Sequence, residues 1–148
     1  MHTFAVSDYL VINYRPDLNM LIARWQRPVS GDETRVGYQK ILEVAQRYQC
    51  PYWLLDGRRR HPADAETTNW GFQDFFPELH TWLGQPVYLS QLLSPIYQQL
   101  TLTMPVYQES ESNPTQTYQM RRFNDEAQAV QWLSGCQEVA VSRLQVGS

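Results

Sequence analysis

The stretch that most constrains this fold is a short apolar run that ends abruptly in charge. It covers Tyr52–Asp56, and Gly57 and three arginines follow it directly. A short apolar run bounded by turn residues is typical of a buried strand. Amphipathic helical patterns lie on both sides, so the strand is predicted in the middle of a parallel sheet. Its carboxyl end would then open at the sheet edge where α/β proteins usually bind ligands.

Apolar patterns on both sides of this strand complete the predicted sheet. Further strands are expected at 10–14, 20–25, 86–90 and 118–123. The short connection between the first two makes them an antiparallel hairpin, with the first strand at the sheet edge. Helical patterns separate the later strands, which should therefore be parallel. The expected fold class is α/β, a single mixed sheet of about five strands in one domain that covers residues 1–148.

Capping and helix-breaking residues set the predicted helix boundaries. Ser30 and Glu33 have the spacing of a capping box, in which each side chain satisfies a free backbone N–H at the helix start. A helix is therefore predicted over 31–49. Asp64 is the expected N-cap of the next helix, and Pro77 should kink that helix or split it into two pieces.

The second half of the chain contains two segments without a clear pattern. Residues 109–117 are polar and lack periodicity, which predicts a mobile loop. A last helix is expected to begin after Asn124 or Asp125 and to stop at Gly135. The C-terminal tail at 136–148 alternates only weakly, which fits either a pairing strand or a frayed end.

Charge and composition argue against several functional classes. The net charge is −3 and the pI about 5.5, whereas a general nucleic-acid binder usually has a basic surplus. No run approaches the roughly 18 apolar residues of a membrane span, and the N-terminus lacks the pattern of a secretory signal. Cys50 and Cys136 have neither CxxC spacing nor a nearby histidine. We therefore expect a cytoplasmic protein without a metal site or a cofactor.

Two motifs resemble a known family. The final strand enters a helix through Arg122–Leu133, with the sequence RFNDEAQAVQWL, and the central strand ends in Trp53–Asp56. This pattern resembles the STAS-like, SpoIIAA-like family of small bacterial domains over residues 10–133. The resemblance implies a mixed sheet with helices packed mainly on one side.

The resemblance implies little about function. Anti-sigma factor antagonists of this family carry a phosphorylatable serine directly after the aspartate of the central strand. Gly57 occupies that position here, and the nearest hydroxyls downstream are Thr67 and Thr68. A phosphorylation switch of the known type is therefore not expected. Other STAS-like relatives have been linked to lipid or small-ligand binding.

The basic loop after the central strand is the main candidate site. It contains Arg58, Arg59, Arg60 and His61. Guanidinium groups bind anions in bidentate fashion, and a following helix start would add free N–H donors. An anionic ligand or an acidic partner could bind there. The alternative is a solvated basic loop with an arginine paired to a neighbouring carboxylate.

Two further residues belong to this candidate site. Asp56 is either a general base or nucleophile at the end of the strand, or an aspartate that forms a turn by bonding its own backbone. Trp70 stands apart from the apolar stripe of its helix, near the basic loop, and is a candidate for an exposed partner or dimer face. The sequence contains no nucleophile elbow, P-loop or metal-binding motif. No enzymatic activity is therefore expected.

These observations lead to two functional hypotheses. The first is a non-catalytic regulatory or protein-interaction module that docks an unknown protein partner or forms a homodimer. The second is a protein that binds a small anionic or lipid-like ligand. Both place the contact at the same six residues: Asp56, Arg58, Arg59, Arg60, His61 and Trp70.

Overall fold

A computed structural model describes residues 2–5, 7–112 and 117–147 of the chain as one six-stranded sheet with helices on both faces. The strands are β1 (His2–Ala5), β2 (Leu10–Arg15), β3 (Met20–Trp25), β4 (Tyr52–Asp56), β5 (Val87–Leu92) and β6 (Tyr118–Phe123). The helices are α1 (Gly31–Tyr48), α2 (Ala65–Trp70), α3 (Leu79–Leu83), α4 (Pro95–Thr101), α5 (Pro105–Ser112) and α6 (Glu126–Gly147).

The strands lie side by side in chain order. β1, β2 and β3 are antiparallel, and β3, β4, β5 and β6 are parallel. Each parallel crossover steps in the same direction, and such crossovers are right-handed. The helices of these crossovers therefore belong on one face, where Tyr38 of α1 contacts Trp25 of β3. α6 covers the opposite face, where Trp132 contacts Phe123. The α/β fold with a single mixed sheet is confirmed, with six strands instead of about five.

The central strand β4 is buried along its whole length, as predicted. Trp53 lies between Leu21 of β3 and Leu89 of β5, and all three side chains are fully buried. The Trp53 indole N–H donates to the carbonyl of Cys50 at 2.8 Å. This strand places Asp56 at the carboxyl edge of the sheet.

The predicted helix boundaries are largely confirmed. Ser30 and Glu33 form a complete capping box at the start of α1, and Asp64 caps α2. The helix that follows is split near Pro77, as expected. A π-helical turn at Gly71–Phe75 and a 3₁₀ turn at Phe76–Glu78 separate α2 from α3.

The strand β1 is absent from the sequence-based prediction. It pairs antiparallel with β2, so β2 is an interior strand and its predicted edge position is wrong. Only four residues form β1, and they lack a clear alternation. Aromatic contacts with α1 hold the strand, since His2 and Phe4 lie 5.4 and 6.2 Å from Tyr48 between ring centroids.

Part of the predicted loop at 109–117 is helical, because α5 extends through Ser112. Tyr107 and Ser110 of this helix are buried, and Glu111 forms an ion pair with Arg122 at 2.6 Å. These tertiary contacts outweigh the polar composition. Residues 113–116 lie outside the described part of the chain.

The predicted tail at 136–148 also differs, because α6 continues past Gly135 to Gly147. One glycine costs a helix only about 1 kcal/mol relative to alanine. Beyond this glycine, the Gln137 side chain stabilises the helix by donating to the carbonyls of Leu18 and Asn19 at 2.9 and 3.1 Å. Ser148 lies outside the described residues.

Candidate functional site

Five of the six predicted site residues lie in two adjacent places instead of one, and His61 lines neither. Asp56, Arg58 and Arg59 line an open cleft of about 640 Å³ at the carboxyl ends of β3 and β4. We call it the charged cleft. Arg60 and Trp70 line a smaller cavity of about 40 Å³ between the sheet and the helices. We call this the Arg60 cavity.

In the charged cleft, a ring of alternating charges neutralises most of the arginines. Arg58 binds Asp56 through Nε and Nη2 at 3.0 and 2.8 Å. Arg24 donates from Nη1 to Asp56 Oδ2 at 2.8 Å and to Glu126 Oε1 at 2.6 Å. Asp56 also accepts from the backbone N–H of Arg58 at 3.2 Å. The predicted alternative of an arginine paired with a neighbouring carboxylate therefore holds for Arg58.

Opposing effects act on the ionisation of Asp56. Burial raises the pKa of this carboxyl, but hydrogen bonds from Arg58 and Arg24 more than offset that effect and hold the pKa below its usual value. The carboxylate is therefore ionised at neutral pH and serves as a structural counter-ion. A general base at neutral pH needs a pKa shifted the other way.

Arg59 is an exposed arginine of the charged cleft with a neutral hydrogen-bond partner. It donates to Gln26 Oε1 at 3.1 Å. Gln26 is neutral, so this contact leaves the guanidinium charge uncompensated. Arg59 therefore remains available to an acidic group from outside.

Arg60 turns inward and is buried, with 7% of its surface exposed. Its guanidinium carbon lies 4.6 Å above the ring centre of Trp25. Nη2 donates to Thr34 Oγ1 at 2.9 Å, and Nε makes a long contact of 3.5 Å with the carbonyl of His61. A guanidinium has five N–H donors, and these contacts use two of them. None of the ion pairs formed by the described residues includes Arg60.

Tyrosine side chains and other aromatic rings line the Arg60 cavity together with Arg60. Three of the lining tyrosines come from different elements: Tyr38 from α1, Tyr97 from α4 and Tyr107 from α5. The π-helical turn adds Phe72, whose ring centroid lies 5.0 Å from that of Tyr107. Single π-turns inside helices occur often at functional sites. The wall of the cavity therefore combines apolar rings with hydroxyl groups.

The buried tyrosines remain protonated at neutral pH. Burial raises the pKa of Tyr38 to about 12, although the positive charge of Arg60 opposes the shift. Burial, together with the neighbouring Tyr97, raises the pKa of Tyr107 well above its ordinary value. These hydroxyls can therefore donate hydrogen bonds to an anion inside the cavity.

Gln91 contributes a polar group without a partner. It lies on β5, is 8% exposed and lines the Arg60 cavity. Its Oε1 is buried and accepts no hydrogen bond among the described residues. Leaving a buried acceptor unpaired costs about 1–3 kcal/mol. A bound molecule with a donor at this point would remove that cost.

The remaining predicted site features have other roles. His61 is exposed and contributes its carbonyl to Arg60. The start of α2 offers no open anion site, because the Asp64 carboxylate already accepts from the N–H of Thr67 at 2.7 Å. Trp70 is half-buried, and its ring packs 5.1 Å from Phe75 and under the Arg35 guanidinium at 5.1 Å. It is a cavity wall, which differs from the exposed partner face predicted for it.

Several functional residues were not predicted. Arg24 had a detectable signal, since a charged residue within the apolar run of β3 requires a buried counter-ion. Its partners, Asp56 and Glu126, lie far away in the sequence. The tyrosines and Gln91 had no such signal, because they come together only through the packing of α1, α4 and α5 against β5.

Two features are absent from the part of the chain that the structure describes: a metal-binding cluster and a membrane-spanning helix. Residues 2–5, 7–112 and 117–147 contain no group of three His, Cys, Asp or Glu side chains that could hold a metal ion. In the same residues, no helix has the length and apolar character needed to cross a membrane.

Comparison with known proteins gives no relative. No protein-family model, no curated protein and no solved structure matches the chain.

Proposed function

We propose that this chain is a non-catalytic module that binds a small anion in the Arg60 cavity. The observation that carries the proposal is a buried guanidinium beside a cavity, with no ion-pair partner among the described residues. Tyrosine side chains that carry hydroxyl donors line the same cavity. A small anion would complete this arrangement.

The energy of an unpaired buried charge supports the proposal. Transfer of an ion out of water costs several kcal/mol even after relaxation. The contact of Arg60 with the Trp25 ring returns about 2 kcal/mol when desolvated, and the hydrogen bond to Thr34 adds a smaller amount. An anion beside Arg60 offsets more of the cost than either contact.

Two further features fit a binding role better than catalysis. The pKa values of Tyr38 and Tyr107 are raised far from neutrality, and the Asp56 carboxylate is held by two arginines. Proton transfer at neutral pH needs groups with a pKa near 7. The small volume of the cavity favours an anion over a lipid-like ligand with an acyl chain.

Family and location belong to the same proposal. The STAS-like assignment is supported by the central strand ending in Asp56 and by the final strand running into the helix α6. A cytoplasmic location is supported by Cys50 and Cys136, which are both free thiols.

Substitution of Arg60 tests the proposal. A screen of sodium salts at constant ionic strength should give a saturable rise in melting temperature of about 5 °C near 100 times the dissociation constant. The Arg60→Met variant keeps the apolar stem over Trp25 and removes the charge. It should bind the active anion at least about tenfold more weakly, because a hydrogen bond to a charged group is worth about 1.5–3 kcal/mol.

Arg59→Met is the matched control, since the same change is made one residue away on an exposed side chain. It should leave the affinity unchanged. Circular dichroism confirms that each variant is folded. Equal affinities of the Arg60→Met variant and wild type, or no saturable shift with any anion, would remove the proposal.

A regulatory protein-interaction module is the second candidate, and the exposed Arg59 favours it. Its guanidinium has only a neutral partner in an open cleft at the sheet edge. A partner with an acidic segment, or a second copy of this chain, would pair with it. The Arg59→Ala variant should lose the partner or the dimer that wild type forms, as measured by size-exclusion chromatography with light scattering. Retention of the same assembly would exclude the charged cleft as the contact surface.

A further inference from the structure

The Arg60 cavity restricts the charge of its ligand. Arg60 supplies one positive charge, and the remaining polar lining consists of neutral hydroxyl and amide groups. A monoanion therefore neutralises the site. A phosphate dianion would leave excess negative charge in a buried position, which costs several kcal/mol. The lower cost of burying a single negative charge favours a monoanion such as a carboxylate over a phosphate dianion.

The volume restricts the ligand size. About 40 Å³ is open inside the cavity, a few times the roughly 10–15 Å³ that one water molecule needs. Packed aromatic rings line the cavity, and the ring centroids of Phe72 and Phe76 lie 5.3 Å apart. An acid with two or three carbons fits, whereas an aromatic acid does not.

The unpaired acceptor on Gln91 restricts the rest of the ligand. Oε1 needs a donor, and none of the described side chains supplies one. An ammonium group could donate but would add a second positive charge near Arg60. A hydroxyl donates without charge. The ligand should therefore carry a hydroxyl close to its carboxylate.

We infer that the Arg60 cavity takes a short 2-hydroxy carboxylate of the size of glycolate or lactate. This inference rests on the proposed function and narrows it to one ligand class. The carboxylate accepts hydrogen bonds from the guanidinium of Arg60 and from the tyrosine hydroxyls, and the ligand hydroxyl donates to Gln91. The full chain can be tested directly with these acids.

Titration calorimetry with glycolate, acetate, benzoate and phosphate at constant ionic strength tests the inference. Glycolate should bind at least about fivefold more tightly than acetate, because only glycolate satisfies the buried acceptor. Benzoate and phosphate should show no saturable binding. In the Gln91→Met variant, acetate should bind as in wild type and the preference for glycolate should disappear. The Arg60→Met variant should show no saturable binding of either glycolate or acetate.

The outcomes separate this inference from the proposed function. Saturable phosphate or benzoate binding that depends on Arg60, without glycolate binding, overturns the ligand class and leaves the anion site standing. A glycolate preference that survives in the Gln91→Met variant overturns the role of Gln91. Absence of binding for every anion overturns both proposals.

Discussion

The Trp53→Ala variant is expected to be less stable to unfolding than wild type by about 4 kcal/mol. Trp53 is fully buried in the central strand, between Leu21 and Leu89. The substitution removes a large packed ring and leaves a cavity that strands on both sides prevent from collapsing. It also removes the indole N–H that satisfies the carbonyl of Cys50. Urea unfolding followed by far-UV circular dichroism measures the loss.

Two other substitutions sharpen this test. Trp53→Phe keeps most of the ring volume and loses the indole N–H together with a little packing, so an intermediate loss of about 2 kcal/mol is expected. This variant keeps the test informative if the alanine variant does not fold. Trp82→Ala is the matched control, because Trp82 lies in α3 with 39% of its surface exposed. A loss as large in the Trp82 variant as in the Trp53 variant would contradict the assignment of the core.

The second large effect is expected for Asp56→Asn, which should destabilise the fold by about 3 kcal/mol at neutral pH. Asn keeps the shape of the side chain and removes the charge, so Arg24 and Arg58 lose their shared buried counter-ion. Glu126 remains near both arginines and compensates in part. Denaturant midpoints of the two proteins give the difference.

The effect of Asp56→Asn should depend on pH in a defined direction. The pKa of Asp56 is lowered on folding, so its charge stabilises the folded state above the ordinary carboxyl pKa of about 4. This contribution is lost as the pH falls through the lower pKa of the folded state. The difference between wild type and variant should therefore shrink below about pH 4. A difference that is constant from pH 7 to pH 3 would show that the ion pairs are not its source.

Asp17→Asn is the control for burial. Asp17 also forms a short ion pair, at 2.6 Å with Arg15, but 60% of its side chain is exposed. Exposed pairs contribute little because water screens them. The midpoint of this variant should stay near that of wild type at every pH.

Local rules in the sequence were sufficient to predict the frame of the fold. The apolar run at Tyr52–Asp56 and the Ser30–Glu33 capping box each depend on neighbours a few residues away, and the structure confirms both. The strand β1 and the helix α5 depend instead on distant partners. Tyr48 contacts the aromatic residues of β1, and Arg122 holds Glu111 of α5. Such pairings cannot be inferred from hydrophobic periodicity.

The position of the candidate site could be predicted from the sequence, but its division into the charged cleft and the Arg60 cavity could not. Position after a buried strand correctly placed the arginines at the carboxyl edge of the sheet. Neighbouring residues in a turn point in different directions, however, so Arg58 reaches Asp56, Arg59 reaches solvent and Arg60 turns into the interior. Only the packed helices decide which arginine remains without a counter-ion. The wall formed by Tyr38, Tyr97 and Tyr107 depends on the same packing.

The Trp25 side chain lies next to residues of both the charged cleft and the Arg60 cavity. Trp25 lines the charged cleft, and the face of its ring supports the Arg60 guanidinium. The ring cannot retreat toward α1, because even a methyl group at Gly37 would lie 2.4 Å from its outer carbon. A ligand in either proposed site would therefore meet a ring with no room on the α1 side, and any coupling of the two sites through this ring would be equal in both directions by thermodynamic linkage.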